Sequence, residues 1–202
     1  MNSEELNERI TRLEDIEALN KLQKIYGYYL DNGMYDKAVD LFSDNTESVE
    51  VGDRGVFLGK EGAKKFLLGY MGRYGNTPPP GTMLTHMQLQ GVVDVDPGGN
   101  TAKGRWYCWM IQAHPSIEPG VPRAAWGFGV YENEYVKENG KWKFKKLFCS
   151  ITFRTPYEDG WVKTPVVAEG RAEGADGPPT AYSPYPNQKL VPFHWKHPVT
   201  GE

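Results

Sequence analysis

Only two cysteines occur in the chain, Cys108 and Cys149, and neither stands in a paired-cysteine metal spacing. Each lies in a strand-like run, so two buried free thiols in a reducing compartment are expected. There is no HExxH and no Cys cluster, and His86 and His114 form no spaced metal motif. The Gly98-Gly99 pair reads as a turn, not a phosphate-cradling loop. No metal and no nucleotide cofactor are therefore expected. No serine occupies a nucleophile-elbow context, which argues against covalent hydrolysis. A large excess of charge of either sign is lacking as well. A net charge of -3 with 24% charged residues offers nucleic acid or an anionic membrane no surface to grip. No apolar run approaches the roughly 20 residues of a membrane span, and the charged N-terminus has no apolar signal region. A cytoplasmic protein is the expectation, and no internal repeat is visible.

Aromatic residues, by contrast, are plentiful: six Trp, twelve Tyr and eight Phe, 13% of the chain. Rings in that number fill a core or line a pocket. The chain opens with Asn2-Ser3 before Glu4-Glu5, a helix start with acidic residues near the positive end of the dipole. Apolar positions at Leu6, Ile10, Leu13, Ile16, Leu19, Leu22, Ile25 and Tyr29 then keep one stripe until Asp31-Asn32-Gly33 ends it. A short second helix is predicted over about Met34–Phe42, a strand over Thr46–Val51, a turn at Gly52-Asp53-Arg54-Gly55, and a third helix over about Lys60–Tyr74. The prolines of 75–81 form a rigid loop.

The stretch Met83–Met110 reads as a hairpin, with turn chemistry at Asp96-Pro97-Gly98-Gly99-Asn100. Period two puts His86 on a face with Leu84, Gln88 and Gln90. On the return strand Arg105, Tyr107, Trp109 and Ile111 share one face, and Trp106, Cys108, Met110 and Gln112 the other. A proline-rich loop from His114 to Arg123 follows, of the kind that rims a site. Two more strands, Ala124–Lys137 and Trp142–Phe153, flank an Asn-Gly turn. This order predicts an α+β domain over 1–154: a strongly curved antiparallel sheet against one long and two shorter N-terminal helices, enclosing a cone-shaped pocket. Residues 155–202 are rich in proline and glycine with isolated rings, and are expected to form an ordered arm over the domain or a neighbouring subunit.

The element order resembles the NTF2-like superfamily, in particular its SnoaL-like branch. The residues that carry the likeness are YGYYLDNGMYDKAVDLF from Tyr26 to Phe42, Gly59 before the third helix, and Thr85-His86 opening a long strand. Gly129-Val130-Tyr131 and Gly140-Lys141-Trp142-Lys143-Phe144 also fit. The likeness covers about residues 6–153. It implies a small cofactor-free pocket, used in that family by dehydratases, isomerases, aldol-type cyclases, lyases and binding proteins. Its bile-acid and scytalone dehydratases use a tyrosine and an aspartate at the end of the first helix with a strand histidine. Carried over, these are Tyr26 (with Tyr28 and Tyr29 as alternatives), Asp31 and His86. The second histidine of scytalone dehydratase has no counterpart, since the next strand offers Arg105, Tyr107 and Trp109, with His114 only at its end. The proline-rich insertion and the aromatic arm resemble the enlarged members that release formaldehyde from lignin-derived diaryl compounds. The resemblance further implies a homodimer or homotrimer.

Histidine changes charge near neutral pH, and His86, central on its strand beside Gln88, is the candidate base, with Asp31 to orient it. A tyrosine hydroxyl could hold a leaving oxygen. Arg105 on a strand full of rings needs an anion, either a carboxylate or an ionised substrate oxygen. Tyr29, Tyr107, Trp109, Trp126, Phe128 and Phe148 could stack on a ring-shaped ligand or simply pack the core; Glu47, His114 and Arg123 are weaker candidates for the site. The expected activity is a cofactor-independent lyase on a phenolic small molecule, losing water or formaldehyde. A non-catalytic carrier and an isomerase or cyclase are the alternatives.

Overall fold

Asn2 opens the first helix through a capping box: its Oδ1 accepts from the Glu5 amide at 2.8 Å, and Glu5 Oε2 accepts from the Asn2 amide at 3.0 Å. The helix, α1, is Ser3–Asp31, ending where the sequence predicts, with Gly33 at φ 66° beyond it. The structure, a computed structural model, describes residues 2–73, 75, 78, 80–114, 123–167 and 170–202. The loop 115–122, expected to rim a site, and the His114 side chain lie outside the described residues, as do residues 76, 77 and 79 of the proline loop.

The elements that follow are α2 (Tyr35–Asp40), β1 (Ser48–Val51), β2 (Val56–Leu58) and α3 (Gly59–Lys64). The last continues as a π-helical turn, Lys65–Met71. Then come β3 (Met83–Val95), β4 (Thr101–His114), β5 (Arg123–Glu138), β6 (Lys141–Pro156) and a short α4 (Gly160–Lys163). A π turn holds more residues than an α turn, which re-aims the side chains at its end and is often found at functional sites. Among the described residues no helix is long and apolar enough to cross a membrane.

The strongly curved antiparallel cone is not the sheet that forms. Six strands lie in the order β2-β1-β6-β5-β4-β3, an open sheet that does not close on itself. It is also mixed, because β1 runs parallel to β6, with Val49 beside Leu147. Backbone bonds at the entry to β1 set that direction. Ser43 donates to the Phe144 carbonyl at 2.9 Å and Glu47 to that of Lys145 at 2.7 Å, so the chain joins β6 heading the same way. Period-two patterning reads alike for either direction, which is why the sequence does not reveal it.

The helices cover one face of this sheet. Tyr26 packs edge-on against Phe42, Tyr131 and Phe144 at ring distances of 5.2–6.4 Å. Beneath α1 a buried polar network joins helix to strands: Tyr135 Oη and Asn133 Nδ2 donate to Gln23 Oε1 at 2.9 and 3.0 Å, and Gln23 Nε2 donates to Gln88 Oε1 at 2.7 Å. Leu6, Ile10 and Leu13, at the start of the stripe, remain exposed; burial begins at Asp15, which accepts from Lys137 and Trp142. The residues after β6 run beside the sheet. Gly177 pairs with Val56, Thr180 donates twice to the buried Glu50 carboxylate at 2.7 and 2.8 Å, and Tyr185 bonds the Thr152 carbonyl.

Candidate active site

Gly27 is where α1 comes closest to β3. A Cβ at this position would stand 3.0 Å from the His86 carbonyl oxygen and 3.2 Å from the Gln88 side chain. With no Cβ there, the last turn of α1 settles on the strand, and Asp31 Oδ1 meets His86 Nδ1 at 2.8 Å. Both side chains are largely buried, at 9% and 17% exposure. An ionised carboxylate only accepts, so the proton between them belongs to Nδ1. The neutral ring then carries its lone pair on Nε2. Gln88 Nε2 donates to the His86 carbonyl at 2.9 Å and ties this strand to Gln23 of α1.

His86 lines a cavity of about 1020 Å³, a volume that includes its open mouth. Tyr26, Tyr35, Tyr131 and Cys149 share the buried part of its wall with apolar Met110 and Ile151, and half-buried Leu84 also lines it. Burial raises the Tyr26 and Tyr131 hydroxyls far above the ordinary tyrosine value, with the nearby thiols of Cys149 and Cys108 adding to it. These hydroxyls stay protonated and can donate. Burial likewise raises Cys108, and pushes Cys149 up to about 12 against a partial opposing pull from Arg54. Both thiols are free and buried, as the sequence predicts. Thiols so protonated are poor nucleophiles. Among the described residues no group of three or more His, Cys, Asp or Glu could hold a metal ion.

Sequence reasoning misses a cationic wall. Arg54 from the turn after β1, Arg73 after the π turn and Arg154 near the end of β6 all line the cavity. Tyr70 sits among them, its hydroxyl accepting from Arg54 Nε at 3.0 Å and its ring 4.8 Å below the Arg73 guanidinium. Burial, and then the charge of Arg54, lower Arg154 to about 10. Arg54 stands in a glycine-flanked turn and Arg154 at the predicted end of a strand. Both look like solvated surface charges in sequence, and the one available signal is that they are arginines, not lysines.

Of the residues proposed from sequence, Asp31 and His86 are hydrogen-bonded, and Tyr26 lines the same cavity as His86. Tyr29 is half-buried against the core outside the cavity lining, and Tyr28 is exposed at 71%. Arg105, Tyr107, Trp109, Trp126, Phe128 and Phe148 do not line the cavity. Tyr107, Trp109, Trp126 and Phe128 form a ring cluster with Phe153 on the opposite sheet face. Arg105 is buried there, donating to Glu132 at 2.8 Å and lying over Phe193. Phe148 borders a second hollow with Val191 to His194. Glu47 pairs with Lys145 at 2.8 Å beside β1, and Arg123 is exposed at the start of β5. A one-residue bulge decides the face. Val92 pairs with Arg105 but Leu89 with Tyr107, so His86 falls opposite Met110 instead of Ile111. Without that slip His86 would share its face with Arg105, Tyr107 and Trp109.

Residues 11–147 match the family model of the SnoaL-like domain. Among solved structures, a candidate scytalone dehydratase from Novosphingobium aromaticivorans is 21% identical, covers 82% of this chain and 97% of its own, and superposes with a TM-score of 0.62. A type 2 hexachlorocyclohexane dehydrochlorinase is 19% identical over 73% of this chain and 92% of its own, with a TM-score of 0.60. The LinA-type3 dehydrochlorinase from Novosphingobium barchaimii is 19% identical over 73% and 93%, with a TM-score of 0.57. At these identities the likeness is one of fold. No curated protein matches the chain.

Proposed function

The chain belongs to the SnoaL-like domain family of the NTF2-like superfamily, and on that premise we propose that it is a cofactor-independent lyase acting on a hydroxylated aromatic small molecule. The observation that carries this reading is the buried His86–Asp31 pair at the wall of a cavity whose other polar groups include protonated tyrosines. His86 Nε2 takes a proton, and the Asp31 carboxylate stabilises the imidazolium that results. Tyr26, the one of its three neighbouring tyrosines that lines the cavity, donates a hydrogen bond to the oxygen where negative charge develops.

Two eliminations fit these groups. In a dehydration the proton comes from carbon, a C=C bond forms, and hydroxide leaves to be protonated as water. In formaldehyde release the base takes the proton of a CH2OH group and its C–C bond breaks. The electron pair passes into a quinone methide, which the phenolate has already formed by expelling a benzylic oxygen substituent that is protonated as it departs, and the ring returns to the phenol. The phenolic ring supplies the electron sink in that route. The names of the structural neighbours, a dehydratase and dehydrochlorinases, denote eliminations and support the reading. We further propose a homodimer or homotrimer, because Met87, Leu89 and Tyr107 leave an exposed apolar strip on β3 and β4.

Hydroxylated aromatic dimers and hydroxysteroids, incubated with the purified protein and followed by mass spectrometry, test the activity. Loss of water or formaldehyde that stops in His86→Ala is the expected result. Ligand recovered unchanged points to a carrier, and a product of unchanged mass to an isomerase or cyclase.

A further inference from the structure

Every residue from 2 to 14 is exposed, and burial along α1 begins only at Asp15. Within residues 3–14 the apolar side chains are Leu6, Ile10 and Leu13, exposed at 44%, 44% and 67%. All the others there are polar or charged. The three do not simply extend the buried stripe. Leu13, Ile16, Leu19 and Leu22 follow at steps of three, and each step falls roughly 60° short of a full turn. The stripe therefore winds about halfway round the helix between Leu13 and Leu22. Leu19, Tyr26 and Leu30 lie in the core, whereas Leu6, Ile10 and Leu13 face away from it, roughly 150° round the axis. The helix thus carries two apolar faces, and its own fold uses one of them.

Steps of four and three are those of a coiled-coil seam, with Leu6 and Leu13 at d and Ile10 at a. A β-branched residue at a with leucine at d favours two parallel strands. In register, each of the three then meets its own copy. Glu17, exposed at the next a position, ends the seam because like charges would meet there. Arg9 falls at g and Glu14 at the following e, so Arg9 of one copy faces the partner's Glu14 on both flanks. Arg9 has interactions within its own chain, and a guanidinium with several donors can serve a second carboxylate besides. An antiparallel pair would instead set Leu6 against the partner's Glu17, or Leu13 against the partner's Ser3, and would separate Arg9 from Glu14.

We propose that residues 3–14 of α1 pair with the same residues of a second copy of this chain as a short parallel coiled coil. This surface is separate from the strip on β3 and β4 and independent of the chemistry in the cavity. A helix about 18 Å long is only marginally stable alone in water. The capping box and the second copy together hold it.

Ile10→Cys tests the seam, since a thiol there meets its copy in a parallel, in-register pair while Cys108 and Cys149 are buried. Mild oxidation is expected to link Ile10→Cys into dimers but not Thr11→Cys, one position off the seam. Sedimentation from micromolar to millimolar concentration should show self-association weakened about tenfold or more when Leu6→Glu, Ile10→Glu and Leu13→Glu are combined. Arg9→Glu and Glu14→Arg should each self-associate less than the unaltered protein, and mixing the two should restore pairing as a heterodimer. If the triple replacement does not fold, the cysteine and charge variants carry the test. Equal linking at positions 10 and 11, or a monomer at every concentration, overturns the proposal. An oligomer indifferent to the triple replacement overturns it too, and assigns assembly to β3 and β4.

Discussion

Asp31 Oδ1 lies 2.8 Å from His86 Nδ1, joining the last residue of α1 to a position near the start of β3 across 55 residues of chain. The pair depends on the helix and the strand keeping a fixed distance, and Gly27 sets that distance one turn earlier. The chemistry proposed for the cavity therefore hangs on a helix–strand contact that no side chain of the reacting pair makes.

Replacing His86 by Ala is expected to lower turnover by about 10²–10⁴-fold, the usual worth of a positioned acid–base group. Asp31→Asn keeps the size of the side chain but removes the charge that steadies the imidazolium. It should reduce kcat more than it raises KM. Steady-state kinetics on a substrate found by the mass assay check both, and kcat within twofold of the unaltered protein in His86→Ala would refute the assignment.

Gly27→Ala introduces a Cβ at 3.0 Å from a backbone oxygen that cannot swing away. Overpacking of this kind costs about 1–3 kcal/mol. The expected outcome is a lowered thermal midpoint together with a loss of kcat, since α1 must lift and Asp31 must lift with it. Ala18→Gly, on the same helix, serves as the comparison for helix propensity alone.

Glu50 is buried at 4% exposure and accepts from the Thr180 amide and hydroxyl. Hydrogen bonds to a charged group contribute about 1.5–3 kcal/mol. Glu50→Ala should lower the thermal midpoint by roughly 3–10 °C. Hydrogen exchange should become faster around Thr180, with turnover unaltered. Exchange that is already fast in the unaltered protein would show that residues 155–202 are no ordered arm.

The buried tyrosines and thiols bear on alkaline stability. The Cys149 thiol is raised from an ordinary 9.0 to about 12 by burial, and Tyr26 and Tyr131 are raised above 10.0 for the same first reason. A folded-state value above the unfolded one gives stability that is whole below the unfolded value and fades as pH rises past it. Unfolding should therefore set in above about pH 9 and steepen toward 12. Below pH 9 the native thiols should resist iodoacetamide and react only on denaturation, which mass spectrometry of the alkylated protein reads directly.

Local chemistry alone marked much of this molecule. The capping box at Asn2 and Glu5, the apolar steps of α1 and the glycine after Asp31 define the first helix because each acts within a few residues. The turn at Asp96 to Asn100 and the Asn139-Gly140 turn, both residues at positive φ, bring β3 to β4 and β5 to β6. The family likeness singles out Tyr26, Asp31 and His86; His86 is hydrogen-bonded to Asp31, and Tyr26 lines the same cavity as His86. What the sequence does not disclose are relations between distant segments. The bulge where Gln90 turns to φ 49° and Gly91 lets the Trp106 indole approach moves His86 from the face of Trp109 to that of Met110. The parallel seating of β1 on β6, which leaves the sheet mixed and open, rests on backbone bonds from Ser43 and Glu47. The arginine wall gathers a turn, a helix end and a strand end that lie 19 and 81 residues apart. Periodicity says which residues share a face. Only packing says which face closes over the cavity, because one inserted residue inverts every side chain beyond it.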